Sequence, residues 1–186
     1  MTTVYSEKLP ELGEFRLTPL DPDRHLDLVA QWVREPRARF WGMTALRPDQ
    51  IREIYSFLAS LDSHHAYLMR LDDQPVGIFQ TYRPAADPVG EHYPVQPGDL
   101  GIHLFLAAPA TAPIAGFTGA LAAALTRYLF ADPAVARLVV EPDVRNEPAL
   151  RRWRRLGFRF GPVIDLPEKR AQLAFLHRAE AITSKS

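Results

Sequence analysis

The chain has 186 residues, 47% of them hydrophobic, which is enough apolar material for one ordinary domain with a real core. Lys plus Arg and Asp plus Glu number 22 each, a formal net charge of zero. That balance argues against nucleic acid or an anionic membrane as the main partner, because both need a basic surface, and the absence of cysteine excludes disulfides, zinc–thiolate sites and a thiol nucleophile.

The N-terminus, MTTVYSEKLPELGEF, has no apolar h-region, so no signal peptide is expected. Residues 1–12 and 179–186 read as polar ends outside the periodic core. Residues 14–20 read as a first strand. Asp21-Pro22 then opens a helix with Leu26, Val29 and Val33 on one face. A second helix follows Pro48, with Ile51, Ile54, Tyr55 and Leu58 at helical spacing. Residues 65–71 and 75–83 read as a hairpin around Asp72-Asp73-Gln74. A long loop rich in Pro, Asp and Gly follows over 84–97, the kind of loop that often carries function.

A strand is expected over 100–107, a helix over 116–130, a strand of the form ARLVVE over 136–141, a helix over 146–156 ending at Gly157, and strands over 158–166 and 169–178. Residues 100–126 carry no Asp, Glu, Lys or Arg, but Pro109, Pro113 and three glycines break the stretch and His103 lies within it. It reads as a buried strand and a helix rather than a membrane span. The order is β-α-α-β-β-β-α-β-α-β-β, an α/β fold with a mixed sheet, taken as one domain over 1–186 with a core of about 14–178. A right-handed crossover makes the strands at 100–107 and 136–141 parallel and adjacent. Without cysteine, signal or span, the chain reads as cytoplasmic.

The chemistry concentrates in that middle unit. Ala115-Gly116-Phe117-Thr118-Gly119-Ala120 starts a helix directly after a strand. The free N–H groups of such a helix start form an anion site, although the residues alone also read as a tight turn. His103 carries an imidazole that titrates near neutrality and can accept a proton; by itself it reads first as a half-buried structural histidine. Asp143, in Glu141-Pro142-Asp143-Val144-Arg145-Asn146, reads by itself as a turn or capping aspartate, and Asn146 as a helix cap or a pocket polar group. The other histidines, His25, His64, His65, His92 and His177, have no metal-ligand spacing and no metal is expected. No Gly-x-Ser-x-Gly elbow and no cysteine are present to form a covalent acyl-enzyme.

The element order, the helix beginning at Gly116 and the run Asn146-x-x-Ala149…Gly157-Phe158 resemble the GNAT acetyltransferase superfamily. The segments PGDLGIHLFL (97–106), LFADPAVARLVVEPDVRN (129–146) and ARFWGM (38–43) are similar to the acyltransferases of hydroxamate-siderophore biosynthesis, among them the aerobactin and mycobactin lysine N-acyltransferases. QTYRPAADPVGEHYPVQPGD (80–99) most resembles the desferrioxamine-type members, which act on N-hydroxycadaverine.

This resemblance implies an acyl-CoA co-substrate, acetyl-CoA or succinyl-CoA, lying in a splay between the strands at 100–107 and 136–141. It implies cofactor contacts from Leu104, Phe105 and Leu106, from Gly116, Phe117, Thr118 and Gly119, and from Asn146. His103 becomes the base and Asp143 its assistant. The acceptor is a small N-hydroxylated diamine, with Trp41, Met43, Gln80, Tyr82 and Asp87 as binding residues and Asp87, Glu91 or Asp99 as partners for its far ammonium. Arg39, Arg83 and Arg145 are the cations available to a succinyl carboxylate. Two departures stand out. The family's glycine loop has Pro113 at its first position and Thr118 at its last, and Trp153 occupies the position where many members carry a thiolate-protonating tyrosine. An enzyme acylating an ordinary amine, or a non-catalytic domain binding acyl-CoA or a siderophore, are the competing expectations.

Overall fold

The computed structural model describes residues 2–109 and 116–183. In chain order the elements are β1 (Tyr5–Leu9), β2 (Gly13–Pro19), α1 (Leu26–Val33), α2 (Pro48–Ala59), β3 (His64–Leu71), β4 (Gln74–Tyr82), β5 (Asp99–Leu106), α3 (Phe117–Ala131), β6 (Arg137–Val140), α4 (Glu147–Arg155), β7 (Arg159–Leu166), β8 (Lys169–His177) and α5 (Arg178–Thr183). The strands take the neighbour order β1-β2-β3-β4-β5-β6-β8-β7 in a mixed α/β architecture. The expected element order holds from β2 to β8.

Two additions lie where polar ends were expected. β1 pairs antiparallel with β2, Tyr5 opposite Leu17. An edge strand solvated on one face buries little, so its sequence reads as polar. Here only Leu9 is fully buried. At the other end α5 begins at Arg178, whose guanidinium donates to the carbonyls of Phe130, Asp132 and Val135. Short 3-10 helices also occupy Pro36–Trp41, Pro84–Ala86 and Pro88–His92, each with proline in its first turn.

Contacts divide the chain into two compact units, Met1–Gln80 with Leu104–Ala115 and Thr81–His103 with Gly116–Ser186. The first unit packs α1 and α2 through Val29, Val33, Ile51 and Tyr55 onto Leu68, Ile78 and Phe105. Trp41 belongs to this cluster: its ring meets Phe105 edge-on at 5.4 Å, and its indole N–H donates to Tyr55 Oη. Met43 packs against the same cluster.

In the second unit β5 and β6 are parallel, as expected of the crossover, with Asp99, Leu100 and Gly101 opposite Arg137, Leu138 and Val139. A second cluster joins Tyr82, Val89, Tyr93, Val139, Ile164, Ala171 and Leu173. α4 is set at its start by Asn146, whose Oδ1 accepts from Ala149 N, and at its end by Gly157 at φ +87°. Among the described residues no helix is long and apolar enough to cross a membrane.

Candidate active site

The pairing of β5 with β6 ends at Gly101 and Val139, while β5 runs on to Leu106. Beyond Val140 the chain turns toward β8: Gln172 N donates to Pro142 O, Val144 N donates to Arg170 O, and Asp143 bridges Ala171. Two residues past the last pair, where side chains again share a face, His103 on β5 meets Glu141 directly after β6.

Glu141 is the centre of the constellation. Its side chain is 4% exposed, whereas that of His103 is 36% exposed. His103 Nε2–H donates to Glu141 Oε1. Tyr82 Oη donates to Glu141 Oε2 at 2.7 Å, and Lys169 Nζ lies 3.4 Å from Oε1. Burial alone would push the Glu141 carboxyl up. The charge and hydrogen bond of His103, joined by Lys169 and Tyr82, reverse that and hold it at about 2. Glu141 is therefore an anion, and its Oε1 accepts the His103 Nε2–H. Burial and then Glu141 push the Tyr82 phenol well above its ordinary value, so Tyr82 acts as a neutral donor.

Gly101 on β5 explains how Tyr82 reaches this position. A Cβ on Gly101 would lie 2.0 Å from Tyr82 Cζ, so only glycine leaves room for the ring. The Tyr82 and His103 rings stand 5.0 Å apart, tilted by 36°. Tyr82, expected to bind the acceptor, is 2% exposed and acts on Glu141 instead.

Asp143, expected to assist His103, is engaged elsewhere. Its carboxylate receives Arg145 Nε at 2.9 Å, Arg145 Nη2 at 2.6 Å and the Arg145 backbone N–H at 2.8 Å. Arg145 accordingly holds the carboxyl below its usual range. The residue beside His103 is Glu141, which the sequence reading passed over as the end of ARLVVE. Strand parity was the available signal: with Gly101 opposite Val139, the next same-face pair is His103 and Glu141. Asn146 serves as the cap of α4. Gln80 is buried at the end of the first unit's part of β4, and Leu104, Phe105 and Leu106 also belong to that unit.

The start of α3 suits a phosphate. Gly116 sits at φ +76°, and among the described residues no side chain caps the helix and none lies within 4 Å of a Cβ built on Gly116 or Gly119. A helix start of this kind presents backbone N–H groups that can bind an anion. Pro113 and Ala115 lie outside the described residues. Trp153 is buried against Phe158, ring centroids 4.9 Å apart, and its indole is a donor with no acidic proton. In the 84–97 loop, Ala85, Asp87, Gly90, Glu91 and Val95 line an open cleft of about 530 Å³. Asp87 Oδ1 also accepts from Val89 N. Asp99 is buried on Arg137.

The fold thus holds a parallel strand–helix–strand unit in a mixed sheet, with the β5–β6 ladder spanning Asp99–Gly101 and Arg137–Val139. The profile of the Acetyltransferase (GNAT) domain family matches residues 21–166, and the chain belongs to that family. It is 28% identical over 183 residues to the N(6)-hydroxylysine O-acetyltransferase of Escherichia coli, covering 96% of this chain and 56% of that protein. It is 31% identical over 182 residues to the hydroxyornithine transacylase SID3 of Ajellomyces capsulatus, covering 94% of this chain and 40% of that protein. The chain thus spans about half the length of these curated relatives. Among solved structures it is similar to the aminoglycoside acetyltransferase AAC(6')-Ib in complex with coenzyme A, with a TM-score of 0.79, 25% identity, and coverage of 92% of this chain and 99% of the other.

Proposed function

We propose that this chain is an acyl-CoA-dependent N-acyltransferase that transfers an acetyl or succinyl group to the hydroxylamine nitrogen of an N-hydroxylated amine, with N-hydroxycadaverine as the leading acceptor, to form a hydroxamate for siderophore biosynthesis. The carrying observation is the hydrogen bond from the half-exposed His103 imidazole to buried Glu141, just past the last β5–β6 pair. The relatives' hydroxylated lysine and ornithine substrates support the acceptor class. The carboxylates of Asp87 and Glu91 in the loop cleft suit the far ammonium of a diamine.

The chemistry follows from the acceptor. A hydroxylamine nitrogen is less basic than an ordinary amine and is uncharged at neutral pH, so it needs no strong base before attack. The nitrogen attacks the thioester carbonyl. As the tetrahedral intermediate forms, its N–H proton passes to the His103 imidazole, and Glu141 stabilises the resulting imidazolium through Nε2. The C–S bond then breaks, and the imidazolium returns the proton to the leaving thiolate, a role closed to Trp153. The bare start of α3 holds the pyrophosphate, and positioning supplies much of the rate.

The test offers acetyl-, succinyl- and malonyl-CoA against N-hydroxycadaverine, cadaverine, N-hydroxyornithine and N-hydroxylysine, with products read by mass spectrometry. Hydroxamate from an N-hydroxylated acceptor, with unmodified cadaverine inert, is the expected result. Equal turnover of cadaverine would overturn the acceptor assignment. His103→Ala should lower kcat by about 10²–10⁴-fold, the usual contribution of a general base.

A further inference from the structure

We propose that the start of α1 is an acid-sensitive latch: the unprotonated Nδ1 of His25 fastens the turn that leads into the helix, and protonation of that nitrogen releases it. The latch belongs entirely to the first unit.

α1 begins without help from its own cap residue. His25 precedes Leu26, and its side chain makes no capping bond into the helix. The ring folds back instead. Asp21 N–H donates to His25 Nδ1 at 3.0 Å, and His25 N–H donates to Asp21 O at 3.0 Å, so the two residues hold each other in both directions. Asp21 Oδ1 accepts from Asp23 N at 3.0 Å and from Arg24 N at 3.1 Å, the pattern of an Asx turn. On one side of this turn Leu20 N donates to Ala66 O on β3, and on the other Val29 N donates to His25 O. The turn is therefore the joint between the sheet and a helix whose Val29 and Val33 lie in the core of this unit.

Only one protonation state allows this joint. A ring nitrogen that accepts an N–H bond carries no hydrogen of its own. Once Nδ1 is protonated, two N–H groups face each other and the Asp21 amide loses its acceptor. The surroundings also disfavour the imidazolium. His25 is buried, and among the described residues no group bonds its Nε2. Arg70 on β3 and Arg24 in the turn repel a positive ring, against the attraction of Asp21. Arg52 of α2 reaches the same turn but pairs with Asp23 at 3.7 Å. Burial, followed by Arg70, holds the His25 imidazole below its ordinary value of 6.5. The unfolded chain thus takes up the proton first as pH falls. The latch is complete above 6.5 and is lost as pH falls from there through the folded value.

Hydrogen exchange at the Asp21 amide and along α1, corrected for the intrinsic rate, reads the opening of this turn in the full chain between about pH 8 and pH 5. The opening constant should rise by up to about tenfold for each pH unit below the unfolded value, the slope of one linked proton. An NMR titration should place the His25 midpoint below 6.5. His25→Asn sets a carbonyl oxygen that does not titrate at the position of Nδ1, so the turn should stay closed across the range and the rise should vanish. His25→Leu supplies no acceptor, so the turn should be open at every pH. Should His25→Asn fold poorly, the wild-type chain still decides, because the rise in opening must track the His25 titration. A wild-type turn that opens equally at both ends of the range overturns the proposal, as does a rise that persists in His25→Asn or a His25 midpoint above 6.5.

Discussion

His103 donates Nε2–H to Glu141, a residue that carries its anion inside the protein while the imidazole keeps a solvent-facing side. Replacing Glu141 with Gln preserves the shape and the acceptor for Tyr82 but removes the charge that stabilises the imidazolium. We expect kcat to fall by about 10²-fold, within the range of general-base effects, with KM for acyl-CoA little changed. Steady-state kinetics over both substrates checks this.

The same carboxyl predicts an acid limb of stability. Its folded value is lowered to about 2 from 4.5, so the unfolded chain binds the proton first. The stabilisation is complete above the unfolded value and is lost as pH falls from about 4.5 through about 2. Wild type should therefore lose stability over that window relative to Glu141→Gln, which has no proton to bind there. Urea midpoints of the two proteins at several pH values measure the difference, and the carboxylates they share cancel in the comparison.

Gly101 and Tyr82 form a steric pair that supports the site. Gly101→Ala places a methyl into the Tyr82 ring and should cost about 1–3 kcal/mol through overpacking. Because the displaced ring carries the donor to Glu141, activity should fall as well. Combining it with Tyr82→Leu should remove most of the additional penalty. A double-mutant cycle on unfolding free energy tests that coupling.

Much of this arrangement was legible in the residues. The parallel pairing of β5 and β6 follows from a strand–helix–strand unit, and α1, α2 and α4 follow from apolar spacing and caps. Other parts were not. β1 is an edge strand whose exposed residues look like a polar tail. Tyr82 sits in a run that leads into a cleft-lining loop, and nothing local says that a glycine nineteen residues later admits its ring. Glu141 was hidden by its neighbour: the EPD string draws the eye to Asp143, while the choice between the two depends on where the ladder ends. That end is a tertiary fact, set when Pro142 and Val144 bond to β8.

The start of α3 allows stability and affinity to be moved in opposite directions. Gly119 lies in the first turn, and no described residue comes within 4 Å of where its Cβ would go. Gly119→Ala should raise helix stability by about 0.5–1 kcal/mol, the usual gain over glycine. If the pyrophosphate lies on this backbone, the methyl also holds it off, and the Kd for CoA should rise by about tenfold, a cost near 1.4 kcal/mol. Thermal unfolding and calorimetric titration with CoA separate the two effects. Stability and affinity rising together would place the phosphates elsewhere.

Arg137 and Asp99 tie the 84–97 loop to the sheet. The guanidinium donates through Nε and Nη2 at 2.7 Å each, and its partner carboxylate also accepts from Tyr93 Oη and Gln96 N. The arginine lies over the Phe175 ring at 4.6 Å. Both side chains are largely buried, so removing one leaves the other charge without its counter-ion. Arg137→Met should therefore destabilise by about 3–5 kcal/mol, whereas Arg137→Met with Asp99→Leu should recover much of the loss. Because Asp99 also anchors Tyr93 and Gln96, the single variant should speed amide exchange in the loop that carries Asp87 and Glu91. Its KM for the hydroxylamine should rise more than its KM for acyl-CoA. A uniform rise in both would mean that the loop does not hold the acceptor.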